Sequence, residues 1–124
     1  MPAYNEAAFL EAAVRDLLAG LAARSLDAEI VVVENGSTDG TGPLSRRLAD
    51  ELAGVRALSL PEPDYGAALR AGFLAARGDL VVNFDVDYYD LGFVDVTLPL
   101  LVVGGPVIVA VSYTHLTLPT TERV

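Results

Sequence analysis

Hydrophobic residues are set along this chain in two alternating rhythms. Phe9-Leu10, Ala13-Val14, Leu17-Leu18 and Leu21 recur every four residues and draw one apolar stripe, which predicts an amphipathic helix from Glu6 to Ala23. Asn5 stands where its N-cap belongs, and Glu6 and Glu11 suit the positive helix end. Ala28 to Val33 then reads as a strand, because a β-branched run without polar alternation fits a parallel sheet covered on both faces. Glu34 to Gly42 is a polar turn, and a helix follows from Pro43 to about Leu52, capped near Thr41 or Gly42. The same unit repeats: a strand at Val55–Leu60, Asp64 as N-cap, and a helix from Tyr65 to Arg77 stopped by Gly78. Leu80–Phe84 is the next expected strand and runs straight into Asp85-Val86-Asp87. A helix at about Leu91–Leu101 and a strand at Val107–Val111 complete the series. Strand–helix alternation with short connections predicts an α/β fold, a parallel sheet flanked by helices.

Composition narrows the chemistry. At 124 residues, 52% hydrophobic and 20% charged, the chain suits one globular domain. Seventeen acids against eight bases give a net charge of −9, which argues against a nucleic-acid partner. All eight bases are arginine, so mechanisms needing a Schiff-base, Walker-A or nucleophile-activating lysine are excluded. There is no cysteine, hence no disulfide framework and no thiolate metal site. No targeting segment is visible at the start, and the most apolar stretch, Leu98–Val111, is interrupted by Pro99, Gly104, Gly105 and Pro106 and is too short for a bilayer. The expected location is cytoplasmic. From Ser112 onward the composition shifts: four of seven threonines and the single histidine, His115, lie in this last stretch.

In a parallel sheet, ligands gather beyond the carboxyl ends of the strands. Three polar clusters fall at such ends: Pro2-Ala3-Tyr4-Asn5-Glu6, Glu34 to Gly40, and Asp85-Val86-Asp87. On an extended strand, residues i and i+2 project to the same side, so Asp85 and Asp87 are expected to face one ligand. Two hard anionic oxygens there suit Mg²⁺ or Mn²⁺ shared with substrate phosphates. Taken singly, each residue also has a plainer reading. Asp85 and Asp87 could end a strand and cap a turn, Glu34 could be a solvated loop acid, and Gly36 and Gly40 could supply turn geometry. Tyr4 could stack on a base or fill the core edge, and Arg70 is expected to be a solvated charge.

Together the clusters are more specific. Pro2-Ala3-Tyr4-Asn5-Glu6, Val31 to Thr41 (V-V-V-E-N-G-S-T-D-G-T), Gly66-Ala67-Ala68-Leu69-Arg70-Ala71-Gly72, and Gly78-Asp79 leading to Asp85-Val86-Asp87 stand in the order and spacing of family 2 glycosyltransferases of the GT-A fold. The chain resembles that family over residues 2 to about 95, and within it the dolichyl-phosphate mannose synthases and related polyprenyl-phosphate sugar transferases. The resemblance implies inverting transfer of a sugar from a UDP- or GDP-sugar to an acceptor such as a polyprenyl phosphate, at or near the cytoplasmic face of the membrane. Pro2, Tyr4, Glu6, Glu34, Asn35, Gly36 and Asp85 would border the nucleotide. Asp85 and Asp87 would hold Mg²⁺ or Mn²⁺ on the diphosphate. No catalytic base is implied within the chain.

The departures from the family pattern matter as well. Glu34-Asn35 replaces the commoner Asp-Asp and leaves the nucleotide open, and the lysine often found in the third motif is absent. Met1 falls where relatives carry the last apolar residue of their first strand, which in this fold lies between the second and fourth in the order 3-2-1-4. The sheet is therefore expected to be incomplete at both ends, with residues 1–110 as the nucleotide-sugar-binding part and 111–124 as an anomalous, non-native tail. On that reading the chain carries the donor- and metal-binding half and shows little or no turnover alone; the alternative is a catalytically inactive nucleotide-binding fragment. A haloacid-dehalogenase-type phosphatase using Asp85 as nucleophile is the weaker rival, since its downstream lysine cannot exist here. A dinucleotide-binding domain lacks its G-x-G-x-x-G, and a calcium loop on Asp85, Asp87 and Asp90 lacks its glycine.

Overall fold

A computed structural model describes residues 1–102. The elements run β1 (Pro2–Ala3), α1 (Leu10–Ala23), β2 (Ile30–Asn35), α2 (Thr41–Glu51), β3 (Val55–Leu60), α3 (Tyr65–Ala75) and α4 (Leu91–Val102). Among the described residues the three strands form one parallel sheet in the order β1-β2-β3. The α/β architecture is the expected one.

β2 is the centre of the molecule. All six of its residues are buried, and its register on β3 runs from Ile30 opposite Val55 to Asn35 opposite Leu60. Successive side chains point to opposite faces of a strand. Ile30 and Val32 accordingly join Leu10, Val14, Leu17 and Leu48 under α1 and α2, while Val31 and Val33 pack with Ala68 and the inner face of α3. This two-sided burial is what the unbroken apolar run predicts. The outer edges are tied by ions. Arg15 and Arg47 each bridge Glu11 and Glu51 between α1 and α2, and Arg24 joins Asp95 of α4. Exposed pairs of this kind are screened by water and contribute little to stability. The half-buried Glu29 receives both Arg56 and Arg77, and Arg56 also donates to the Ala75 carbonyl at the end of α3.

Four expectations need correction. The first helix starts at Leu10, not Glu6, and Asn5 does not cap it: Phe9 occupies the N-cap without a side-chain bond. Asn5 instead adopts φ +50° and its Oδ1 accepts the Thr38 amide at 2.8 Å, drawing the chain away from the helix axis. Second, α3 ends at Ala75, ahead of Arg77 and Gly78, where Ala76 turns extended. Third, Glu34 and Asn35 belong to β2 rather than to the turn after it, and α2 begins at Thr41 behind Gly40 at φ +94°.

The largest correction concerns Leu80–Phe84, which forms no strand. Its expected partner, β1, is two residues long, and one of them is Pro2, which has no N–H to donate. A ladder with so little edge cannot hold a fourth strand. The segment borders a cavity of about 870 Å³ shared with Met1, Ile30, Leu69, Phe73 and Leu98. Where it was correct, the reading rested on local pattern: Asp64 caps α3 by accepting the Ala67 amide at 2.9 Å, and Arg70 is exposed. The expected strand at Val107–Val111, the shift at Ser112, His115 and the tail from 111 lie outside the described residues.

Candidate functional site

The loop after β1 and the loop after β2 are laced together at the carboxyl end of the sheet. Three consecutive amides, those of Asn5, Glu6 and Ala7, donate to Ser37 Oγ, Thr41 Oγ1 and Asp39 Oδ2 at 3.0, 2.9 and 3.2 Å. Asp39 also accepts from the Thr41 amide and hydroxyl, which holds its carboxyl below the usual carboxylate range. These bonds fix the direction in which Tyr4 and Glu6 leave the sheet. Tyr4 is half-exposed, with its ring reaching solvent.

Glu34 and Asn35 are buried at the end of β2. Glu34 Oε2 accepts the Ser37 amide at 2.7 Å, and its Oε1 lies beside Gly42 in the first turn of α2. A carboxylate in that place is favoured by the positive helix end. Asn35 is a clasp: its Nδ2 donates to the Ala3 carbonyl at 3.1 Å, and its Oδ1 accepts the Asp64 amide at 3.0 Å. It therefore ties β1, β2 and the start of α3 together. Pro2 is buried in β1, and Gly36, at φ +68°, turns the chain under Pro63.

Asp85-Val86-Asp87-Tyr88 is not extended. The Asp85 and Tyr88 amides each donate to the other residue's carbonyl at 3.2 Å, closing a reverse turn. The expectation that Asp85 and Asp87 share one strand face is thus corrected. Without a neighbouring strand the segment satisfies its backbone by folding on itself. Asp85 is buried, Asp87 is exposed, and Val86 plugs into the core. Asp85 Oδ1 accepts the Tyr65 hydroxyl at 2.9 Å, and that hydroxyl accepts Asn83 Nδ2 at 3.4 Å.

The turn nonetheless lies near enough to Glu6 for both carboxylates to act on its charge. Burial chiefly, with the charges of Asp87, Asp85 and Asp39, pushes the Glu6 carboxyl up to about 7. Tyr65, pushed up to about 12 by burial and then by the same two aspartates, stays a protonated donor. The result is a group of like charges shared between the loop after β1 and the Asp85–Tyr88 turn. Among the described residues, no three acidic or imidazole groups converge closely enough to enclose a metal by themselves. Asp85 and Asp87 are hard oxygen donors, of the kind that suits a divalent cation taking its remaining oxygens from a ligand.

The crowding has a measurable consequence. A carboxyl whose folded pKa is raised contributes stability that is fully present below its unfolded value, near 4.5, and is lost as pH rises through about 7. Glu6→Gln is expected to be more stable than the parent at pH 8 and to lose that advantage by pH 5, as read from urea midpoints across this range. The opposite ordering would mean that Glu6 is not crowded by the aspartates.

The family model for glycosyl transferase family 2 matches residues 1–113. The chain belongs to glycosyl transferase family 2. Relatives include an undecaprenyl-phosphate 4-deoxy-4-formamido-L-arabinose transferase from Aeromonas hydrophila, 38% identical over 93 residues, covering 70% of this chain and 27% of that protein. The glycosyltransferase AglD of Haloferax volcanii is 40% identical over 90 residues, 70% of this chain and 14% of its own length. A dolichyl-phosphate β-glucosyltransferase, ALG5C, from Trichomonas vaginalis is 33% identical over 93 residues, 70% of this chain and 28% of its own. The chain thus spans between about a seventh and just over a quarter of these proteins' length. No solved structure matches significantly. Among the described residues no helix is long and apolar enough to cross a membrane.

In this member of the family, Glu6 feels the charges of Asp85 and Asp87, and Tyr4 is half-exposed in the loop after β1. The structure places Glu34, Asn35 and Gly36 in the scaffold beneath. The sequence gives no role to Tyr65 or Asn83, and it offers Ser37 and Asp39 only as members of a polar cluster and Thr41 only as a helix cap. Asp39 and Thr41 lie inside the polar motif after β2, and that position was the available signal. Tyr65 offered none beyond following an N-cap.

Proposed function

We propose that these residues form the donor- and cation-binding part of an inverting glycosyltransferase that uses a UDP- or GDP-sugar and hands the sugar to a polyprenyl phosphate. The observation that carries this reading is the Asp85–Tyr88 turn, whose two carboxylates, one of them held by the Tyr65 hydroxyl at 2.9 Å, act on the charge of Glu6 in the loop that also carries the half-exposed Tyr4. The ring offers a face to a nucleobase, while Pro2, Glu34, Asn35 and Gly36 shape the floor under the nucleotide. Glu6 borders the same space. Asp85 and Asp87 would hold Mg²⁺ or Mn²⁺. A cation there would neutralise charge growing on a departing diphosphate. The acceptor class comes from the relatives' names, two of which contain undecaprenyl phosphate or dolichyl phosphate. Such an acceptor would bring the protein to the membrane surface.

Calorimetric titration of UDP and GDP, each with and without Mn²⁺, tests the reading. One nucleotide is expected to bind in a Mn²⁺-dependent manner, which also names the donor. Binding of neither, on this chain and on a longer protein containing it, would sink the assignment.

A further inference from the structure

We propose that Tyr65, backed by Asn83, is a positioning residue that holds the Asp85 carboxylate in the orientation its ligand requires. This rests on reading Asp85 as a ligand of the diphosphate-bound cation. A carboxylate on a two-fold, broadly rotating torsion does not keep its oxygens aimed unless a donor fixes one of them. The Tyr65 hydroxyl does so at 2.9 Å from Oδ1, as a charge-assisted bond. A hydroxyl has one hydrogen. Asn83 Nδ2 donates to the Tyr65 oxygen, which directs that single hydrogen toward Asp85. Asn83 and Asp85 are both buried, at 6% and 7% exposure, so the two side chains that the hydroxyl joins are shielded from competing water.

The hydroxyl is carried by the start of α3. Tyr65 is the first residue of α3, the Asp64 side chain caps that helix, and the Asp64 amide is held by Asn35 Oδ1 at the end of β2. A continuous series of bonds therefore runs from the tip of the central strand through the start of α3 to the carboxylate. The Tyr65 ring is 49% exposed. Packing alone would be served as well by phenylalanine.

Tyr65→Phe keeps the ring and removes only the bond. It is expected to weaken Mn²⁺-dependent nucleotide binding by about 10- to 100-fold, the range for partners that orient metal-binding groups. Binding of nucleotide without metal is expected to stay at the parent's value, and the thermal midpoint to fall only by what the loss of one hydrogen bond to a buried carboxylate implies. Asn83→Ala, which leaves the hydroxyl free to turn, is expected to give a smaller loss of the same kind. Unchanged Mn²⁺-dependent affinity in Tyr65→Phe would overturn the proposal. So would equal losses with and without metal, or a lowered midpoint that accounts for the loss, since both describe a structural role. If the parent chain itself showed no Mn²⁺-dependent binding, the reading of Asp85 would fall and this proposal with it, an outcome distinct from a parent that binds and a variant that binds equally well.

Discussion

The double variant Asp85→Ala, Asp87→Ala is expected to lose Mn²⁺-dependent nucleotide binding altogether and to keep whatever binding the nucleotide shows alone. The two side chains are the carboxylates of the turn that faces Glu6, and they are proposed to supply the protein's oxygens to the cation. A divalent ion deprived of both keeps only its contacts to phosphate and water. Removing two negative charges also lessens the repulsion of a diphosphate, so metal-free binding is expected to hold or improve. The single variants separate the contributions. Asp87 is exposed. Its removal is expected to change stability by no more than about 0.5 kcal/mol, as for an ordinary surface position, so a lost affinity there cannot be traced to unfolding. Asp85→Asn retains an acceptor for the Tyr65 hydroxyl while removing the charge. In a full-length protein carrying the double variant, sugar transfer is expected to disappear in parallel. Undiminished Mn²⁺-dependent binding by the double variant would remove these carboxylates from the site.

Gly36→Ala is expected to be the most damaging single-methyl change in the scaffold. The residue sits at φ +68°, where an L side chain costs about 1–2 kcal/mol. A Cβ there would also stand 2.4 Å from the Pro63 nitrogen and 2.7 Å from the Glu62 carbonyl carbon. Both are backbone atoms that cannot rotate aside, and forced overpacking of this sort adds about 1–3 kcal/mol. Gly40→Ala is the control: its φ is +94°, but nothing lies within 4 Å of the added carbon. Its expected loss is the backbone part alone, about 1–2 kcal/mol. Urea denaturation of the two variants side by side distinguishes a crowded turn from a merely left-handed one. Equal losses would mean that the Glu62–Pro63 backbone yields.

Local pattern made much of this structure legible. Ile30–Val33 could be placed as a strand covered on both faces because its apolar run admits no solvent face, and Asp64 because capping is settled within three residues. What failed depended on distant partners. Leu80–Phe84 has the composition of a strand, but a strand exists only where another offers it an edge, and Pro2–Ala3 offers almost none. Asn5 looks like a cap in a linear reading; its actual partner is the amide of Thr38, 33 residues away. The motif spacing placed two of the three polar clusters at the carboxyl ends of strands, those at β1 and β2, but not the third at Asp85. It could not show that Asn35 faces inward as a clasp, nor that Asp85 and Asp87 approach Glu6 from a reverse turn. Tyr65 was overlooked because its significance lies wholly in a carboxylate twenty residues later.

The two sides of the site are built to different standards of firmness. Glu34, Asn35 and the loop that grips Asn5 to Ala7 stand on a fully laddered strand pair, whose opening requires the sheet itself to separate. Asp85 and Asp87 ride on a segment with no ladder beneath it, above an apolar cavity. Local unfolding follows such differences in backbone pairing and packing. The carboxylate side is therefore expected to open far more often than the side that faces it, and a ligand touching both acts as a clamp, its affinity lowered by the ordering it must impose.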